Sequence, residues 1–265
     1  MFGCSGEISG NNESHIKDYT VTPIGAPINT PGGGTITAFK FSSAAIERRF
    51  DVYLPPGYNN SKNQRYPVLY MHDGQNLFFP ERCFIWEWNL DDNIEYLIEQ
   101  GKIQKIIAVG IDNAETDRLT EFVTDQAKSY TKLLMSIKNH IDKTYRTLPD
   151  REYTGLMGAS AGAATTLYAA HHHPETFGLL GIYSIYAPYS DIYGMIKNNE
   201  HARFHKVYIA AGAGEVYNLN QARRIKALFE AKGYTDDELY YYEETPMANI
   251  MNKRGKDGYG VKERT

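Results

Sequence analysis

Short apolar runs alternating with helical periodicity constrain this chain more than any other feature. Residues 67–72 (PVLYMH) and 106–111 (IIAVGI) are apolar at nearly every position. A strand carries such a run when both faces of its sheet are covered. Between them, Ile94, Leu97 and Ile98 recur at helical spacing behind Asp91 and Asp92, which offer N-caps, and Gly101 stops the helix. Residues 125–145 place Leu133, Leu134, Ile137 and Ile141 on one helical face. Strands are predicted again over 153–157, 179–185, 207–211 and 239–242, with helices over 161–172 and 218–232. Strands alternating with helices mean parallel βαβ units. Residues 35–41 and 46–54 instead read as consecutive strands with no helix between them, an antiparallel start. The expected class is therefore α/β, a mostly parallel central sheet with an antiparallel N-terminal edge and helices on both faces. In such sheets the active site gathers at the carboxyl ends of the strands.

Residues 1–34 read as an N-terminal tether closed by Pro31-Gly32-Gly33-Gly34, and 35–265 as one domain. The charge balance, 28 basic against 32 acidic residues, gives no basic excess to hold a phosphate backbone, so nucleic acid is not the expected partner. No apolar stretch approaches the ~18–20 residues of a membrane span. Two cysteines, Cys4 and Cys83, can build neither a disulfide framework nor a Cys-rich zinc site, and no metal or organic cofactor is expected. Cys4 follows Gly3 and precedes a polar stretch, which resembles the start of a mature bacterial lipoprotein. On that reading Cys4 is lipidated, the signal is already removed and the protein sits at the cell surface or is secreted. The alternative is an idle N-terminal cysteine, which leaves a cytoplasmic location open.

Gly158-Ala159-Ser160-Ala161-Gly162 is a G-x-S-x-G pattern. A predicted strand runs into it and an Ala-rich helix runs out, the setting that gives the pattern meaning. A turn this tight puts the serine in a strained conformation and requires tiny flanking residues, here Gly158 and Gly162. Ser160 Oγ would stand at the positive end of the following helix. The Ala161 amide would point at a developing oxyanion. The alternative is a Gly-rich turn carrying an idle serine.

Several long, ordered segments carry a family resemblance: RRFDVYLPPGY (48–58), YPVLYMHDGQNLF (66–78), WEWNLDD (86–92), GIDNAETDRLTEF (110–122), YTGLMGASAG (153–162) and HPETFG (173–178). Over roughly residues 35–245 the chain resembles the esterase branch of the α/β-hydrolases. That branch includes feruloyl and acetyl-xylan esterases (carbohydrate esterase family 1), enterochelin esterases and S-formylglutathione hydrolase. The resemblance implies an α/β-hydrolase fold and ester hydrolysis through an acyl-enzyme on Ser160. It places the second oxyanion amide at Gln75, with His72 and Asp73 bracing that loop. It puts the orienting acid at Glu215, after the strand over 207–211, in the chain order serine, acid, histidine. A surface carboxylate capping the next helix is the alternative for Glu215.

The resemblance also implies a histidine in the loop after the last strand. That loop holds none, and Ala248 falls on or beside the slot. His171, His172 and His173 lie about 18 Å along the helix from Ser160. His201 and His205 precede a strand, at the wrong edge, and His140 also precedes one; His15 lies in the tether. Only His72 is at the right edge, and there the family shapes the loop. The chain therefore reads as an inactive or severely impaired variant. The intact elbow, oxyanion segment and acid slot favour a deliberate His-to-Ala replacement over a natural pseudo-hydrolase. A departure at Ala161 and Ala163, where the family often has Met and Gly, keeps the side chains small.

The expected partner is a small-molecule or oligosaccharide ester. Trp86 and Trp88 would stack on a sugar or aryl acyl group or pack the domain edge. Arg118 and Glu121 lie where ligand-contacting loops occur; Arg118 is a substrate-binding candidate, and an exposed Arg118–Glu121 ion pair is the alternative. A cell-surface tether and aromatic residues point to feruloyl or acetyl esters of plant cell-wall polysaccharide. A siderophore ester is the second enzymatic reading, and a non-catalytic ligand-binding protein is the reading from another class.

Overall fold

The structure is a computed structural model that describes residues 14–84, 86–123, 125–188, 191–198 and 203–244. Its strands are β1 (Tyr19–Pro23), β2 (Ile28–Asn29), β3 (Thr35–Ser43), β4 (Glu47–Leu54), β5 (Val68–His72), β6 (Ile107–Ile111), β7 (Thr154–Ala159), β8 (Leu179–Tyr183), β9 (Lys206–Gly212) and β10 (Leu239–Glu244). They form one sheet in the order β1-β3-β4-β6-β5-β7-β8-β9-β10, with β2 on β3. From β6 to β10 every pairing is parallel, and β1 to β4 join antiparallel, β4 meeting β6. The α/β expectation holds, antiparallel edge included.

The helices are α1 (Leu90–Glu99), α2 (Arg118–Val123), α3 (Ala127–Thr144), α4 (Ala161–His172), α5 (Ile192–Asn198) and α6 (Val216–Ala231). Strand pleating sorts the core into two layers. Val68, Tyr70, Ile107, Val109 and Ile111 share a cluster with Leu133 and Ile137 of α3, Leu167 of α4, Ile196 of α5 and Phe229 of α6. Met71 and Ala108, one residue out of phase, pack with Ile94 of α1. The stripe read on α3 is the buried one: Leu133, Leu134, Ile137 and Ile141 are fully enclosed. Each such side chain contributes about 1.5–3 kcal/mol of burial.

Three expectations are corrected. The tether over 1–34 does not reach residue 34, because β1 pairs with β3 and β2 extends the same edge. Tyr19 stacks on Phe41 at 4.7 Å, and the Ile16 amide bonds Ser136 Oγ at 2.8 Å. These partners are 22 and 120 residues distant, invisible to local reading. Residues 1–13, with Cys4, lie outside the described residues. The residue flanking the start of α1 is Asn89 in a left-handed conformation, with Asp91 and Asp92 inside the first turn. Helices α2 and α5, of six and seven residues, escaped the periodicity reading because they are too short to show a repeat. Among the described residues, no helix is long and apolar enough to cross a membrane.

Candidate active site

Strand β7 runs to Ala159, and α4 begins at Ala161. Ser160 between them has φ 56° and ψ −123°, a conformation that L-residues reach only under constraint. The constraint is visible. A methyl group on Gly158 would lie 2.5 Å from the carbonyl carbon of Gly162 and 2.8 Å from His72 Cδ2. Neighbouring backbone pins the turn: the Ser160 amide donates to Tyr183 O at 2.9 Å, and Ser160 O accepts from the Tyr186 amide at 3.1 Å. Ser160 itself is half-buried at the carboxyl edge of the sheet. The Ala161 amide, at the first position of α4, donates to no backbone carbonyl among the described residues.

Strand β5 lies beside β7, and its carboxyl end feeds a turn over Asp73 and Gly74–Asn76. Asp73 is left-handed (φ 58°, ψ 46°), and Gly74 presses on strand β6: a methyl group there would lie 2.5 Å from the carbonyl carbon of Gly110. This close approach holds the turn against β6. The Gln75 amide donates to no backbone carbonyl among the described residues, and its side-chain Oε1 accepts from the Asn113 amide at 3.2 Å.

The two brace residues behave as expected. His72 Nδ1 is 2.8 Å from Tyr130 Oη, and the ring packs beneath the elbow, buried against Phe122 and Gly158. No hydrogen bond joins it to Ser160 among the described residues. Burial lowers its pKa to about 4, with Asp73 pulling the other way. Asp73 takes Arg118 Nε at 2.6 Å, Arg118 Nη2 at 2.7 Å and Asn113 Nδ2 at 2.6 Å.

The expected alternative of an exposed Arg118–Glu121 pair is not formed. Arg118 turns to Asp73, while Glu121 pairs with Arg48 at 2.6 Å, both ends nearly enclosed. Nor is the Arg118 guanidinium held out toward solvent: it lies between the rings of Phe84 and Phe122, 5.8 and 5.2 Å from their centroids. A second ionic cluster anchors the segment after the Gly74–Asn76 turn: Arg82 bonds Asp51 and, at 2.5 Å, Asp112. Burial pushes Asp112 up to about 6 despite the opposing pull of Arg82.

Two strands along, β9 ends at Gly212 and Glu215 precedes α6. Its carboxylate folds back over Gly212, and Oε2 is buried with no hydrogen-bond partner among the described residues. Strand β10 ends with Glu244 in register with Gly212. Position 248 lies outside the described residues. Of the two tryptophans, Trp86 is 57% exposed, whereas Trp88 packs on the α1 side of the core with its ring 5.9 Å from Tyr183. Phe84 and Asn113 were missed by sequence reasoning. Asn113 was findable as a polar residue two places beyond a buried strand, at the carboxyl edge; Phe84 offered no such signal. Among the described residues, no group of three His, Cys, Asp or Glu side chains is arranged to hold a metal.

Comparison with known proteins bears on this arrangement. A family model described as "Putative esterase" matches residues 42–242. An uncharacterized protein, YbbA, of Bacillus subtilis (strain 168) is 23% identical over 219 residues, covering 74% of this chain and 83% of that protein. The iron(III) salmochelin esterase of Escherichia coli O6:H1 is 31% identical over 93 residues, 33% of this chain but only 22% of that enzyme. Among solved structures, a ferulic acid esterase superposes with a TM-score of 0.60 at 15% identity, over 80% of this chain and 91% of the other. The enterochelin esterase of Shigella flexneri gives 0.61 at 16% identity, over 79% of this chain and 52% of the other. At such identities the superpositions speak for the fold.

Proposed function

The chain belongs to the esterase family whose model spans most of it, and from that premise we propose that it is built as a serine carboxylester hydrolase working through an acyl-enzyme. Ser160 Oγ is the nucleophile. Its attack on the ester carbonyl makes a tetrahedral oxyanion, which the Ala161 and Gln75 amides receive as hydrogen bonds. Collapse expels the alcohol and leaves an acyl group on Ser160; water then releases the acid. The proton passes through a base whose slot is position 248, oriented by Glu215. Ala248 cannot accept a proton, so the chain as it stands is severely impaired in chemistry while able to bind. The observation that carries this reading is the strained Ser160 turn at the carboxyl end of β7, next to strand β5 whose carboxyl end feeds the Gly74–Asn76 turn. Glu215 Oε2, buried with no hydrogen-bond partner among the described residues, supports its assignment as the acid.

Feruloyl or acetyl esters of plant cell-wall polysaccharide are the substrate class we favour, with exposed Trp86 as a stacking surface. A siderophore ester is supported on equal terms by the local identity with a salmochelin esterase. Lipidation at Cys4, with a surface location, completes the proposal and is testable by metabolic labelling with palmitate.

The deciding experiment is Ala248→His, assayed with p-nitrophenyl acetate beside the unaltered chain and a Ser160→Ala control. Activity in the Ala248→His chain alone, abolished by Ser160→Ala, supports the enzyme. Silence in all of them makes the chain a ligand-binding protein on a hydrolase fold. Methyl ferulate, acetylated xylan and a catecholate triester then discriminate between substrates.

A further inference from the structure

Arg118 reaches both halves of the proposed oxyanion site. Nε and Nη2 grip the two oxygens of Asp73 at 2.6 and 2.7 Å, and Nη2 also donates to Ala159 O at 3.3 Å. Asp73 lies two residues before Gln75, and Ala159 lies two before Ala161. A single planar group thus bridges the residues that lead into the two amides. We propose that Arg118 is a positioning residue that fixes the spacing between the Gln75 and Ala161 amides. This differs from the substrate-contacting role expected of it, and it rests on the reading of those amides as the oxyanion donors.

Three features make the bridge rigid. The paired contact with Asp73 uses the fork geometry of a guanidinium, which an ammonium cannot reproduce. The Phe84 and Phe122 rings lie within cation–π reach of the guanidinium. Asn113 fills the remaining space, donating Nδ2 to Asp73 Oδ1 and its own amide to Gln75 Oε1. The Asp73 carboxylate also abuts the elbow directly: a methyl group on Gly162 would lie 3.2 Å from Asp73 Oδ2. The left-handed backbone at Asp73 is costly without such restraint. With both Asp73 oxygens and two nitrogens of Arg118 engaged, the cation is committed to the scaffold and not to an incoming acid.

Amide hydrogen exchange tests this without any need for activity. In Arg118→Lys and Arg118→Gln, peptides covering residues 70–79 and 157–163 should both exchange at least about tenfold faster, while α6 keeps its protection. A rise throughout the protein, or a change confined to one of the two peptides, overturns the bridge. In the Ala248→His background, Arg118→Lys should lower kcat about 100-fold with KM within twofold, the cost of a misplaced oxyanion donor. A raised KM with kcat intact would instead make Arg118 a substrate ligand. Should Ala248→His itself be inactive, the functional reading falls, and the exchange result alone still decides whether the bridge exists.

Discussion

His72 makes the fold acid-sensitive, and the size of the effect follows from its surroundings. The ring is buried beneath the elbow, where Phe122, Tyr130 and Gly158 admit no water shell for an imidazolium. Burial, aided by Arg118, outweighs the pull of Asp73 toward the charged form and sets the pKa at about 4, against 6.5 in the open chain. Between those values the unfolded chain binds a proton that the native chain refuses, so stability falls as pH drops through 6.5 and levels off below 4. The full loss, at about 1.4 kcal/mol per pH unit across that gap, is about 3 kcal/mol. By pH 5 about 2 kcal/mol of it has gone. Urea unfolding at a series of pH values from 7.5 to 4.5 measures this, with His72→Asn as the reference. Asparagine keeps a partner for Tyr130 and cannot titrate. It lowers stability at every pH through the lost ring, but its profile should descend less steeply by about 2 kcal/mol between pH 7.5 and 5. Asp51, Asp112 and Glu121, whose pKa values burial raises, contribute with the opposite sign and cancel in the comparison. Parallel profiles for the two proteins would refute the reasoning.

Other outcomes can be checked alongside. Gly74→Ala drives a methyl group into the backbone of β6 and should destabilise by about 1–3 kcal/mol or more, seen as a lowered urea midpoint. Arg48→Met strands Glu121 as a buried, uncompensated carboxylate and should cost about 3–5 kcal/mol, whereas Lys40→Met, at an exposed pair with Glu47, should cost less than about 1 kcal/mol by the same measurement. Trp86→Ala should leave the melting temperature nearly unchanged and, in the Ala248→His background, raise KM for aryl esters more than for acetyl esters.

What could be read along the chain was whatever is dictated locally. The apolar runs of β5 and β6 are buried strands because their composition admits water on neither face. The alternation of strands and helices then implies parallel order. The elbow was legible for a steric reason: no residue larger than glycine fits at Gly158, so the pattern itself reports the turn. The slot at position 248 came from the family resemblance, and it lies outside the described residues. Contacts between distant segments were not legible. Arg118 and Asp73 are 45 residues apart, Arg48 and Glu121 73, and Ile16 and Ser136 120. Placement beyond the carboxyl end of a strand made Arg118 a candidate ligand for substrate, and nearness in sequence made Glu121 its alternative mate. Only the packing of β4, β5, β6 and β7 side by side decided that each would find a closer partner across the sheet edge. The same holds for β1, whose five residues bury little by themselves and become a strand through the edge that β3 offers. Propensity and sterics act between neighbours in sequence, whereas ion pairing and edge pairing act between neighbours in space.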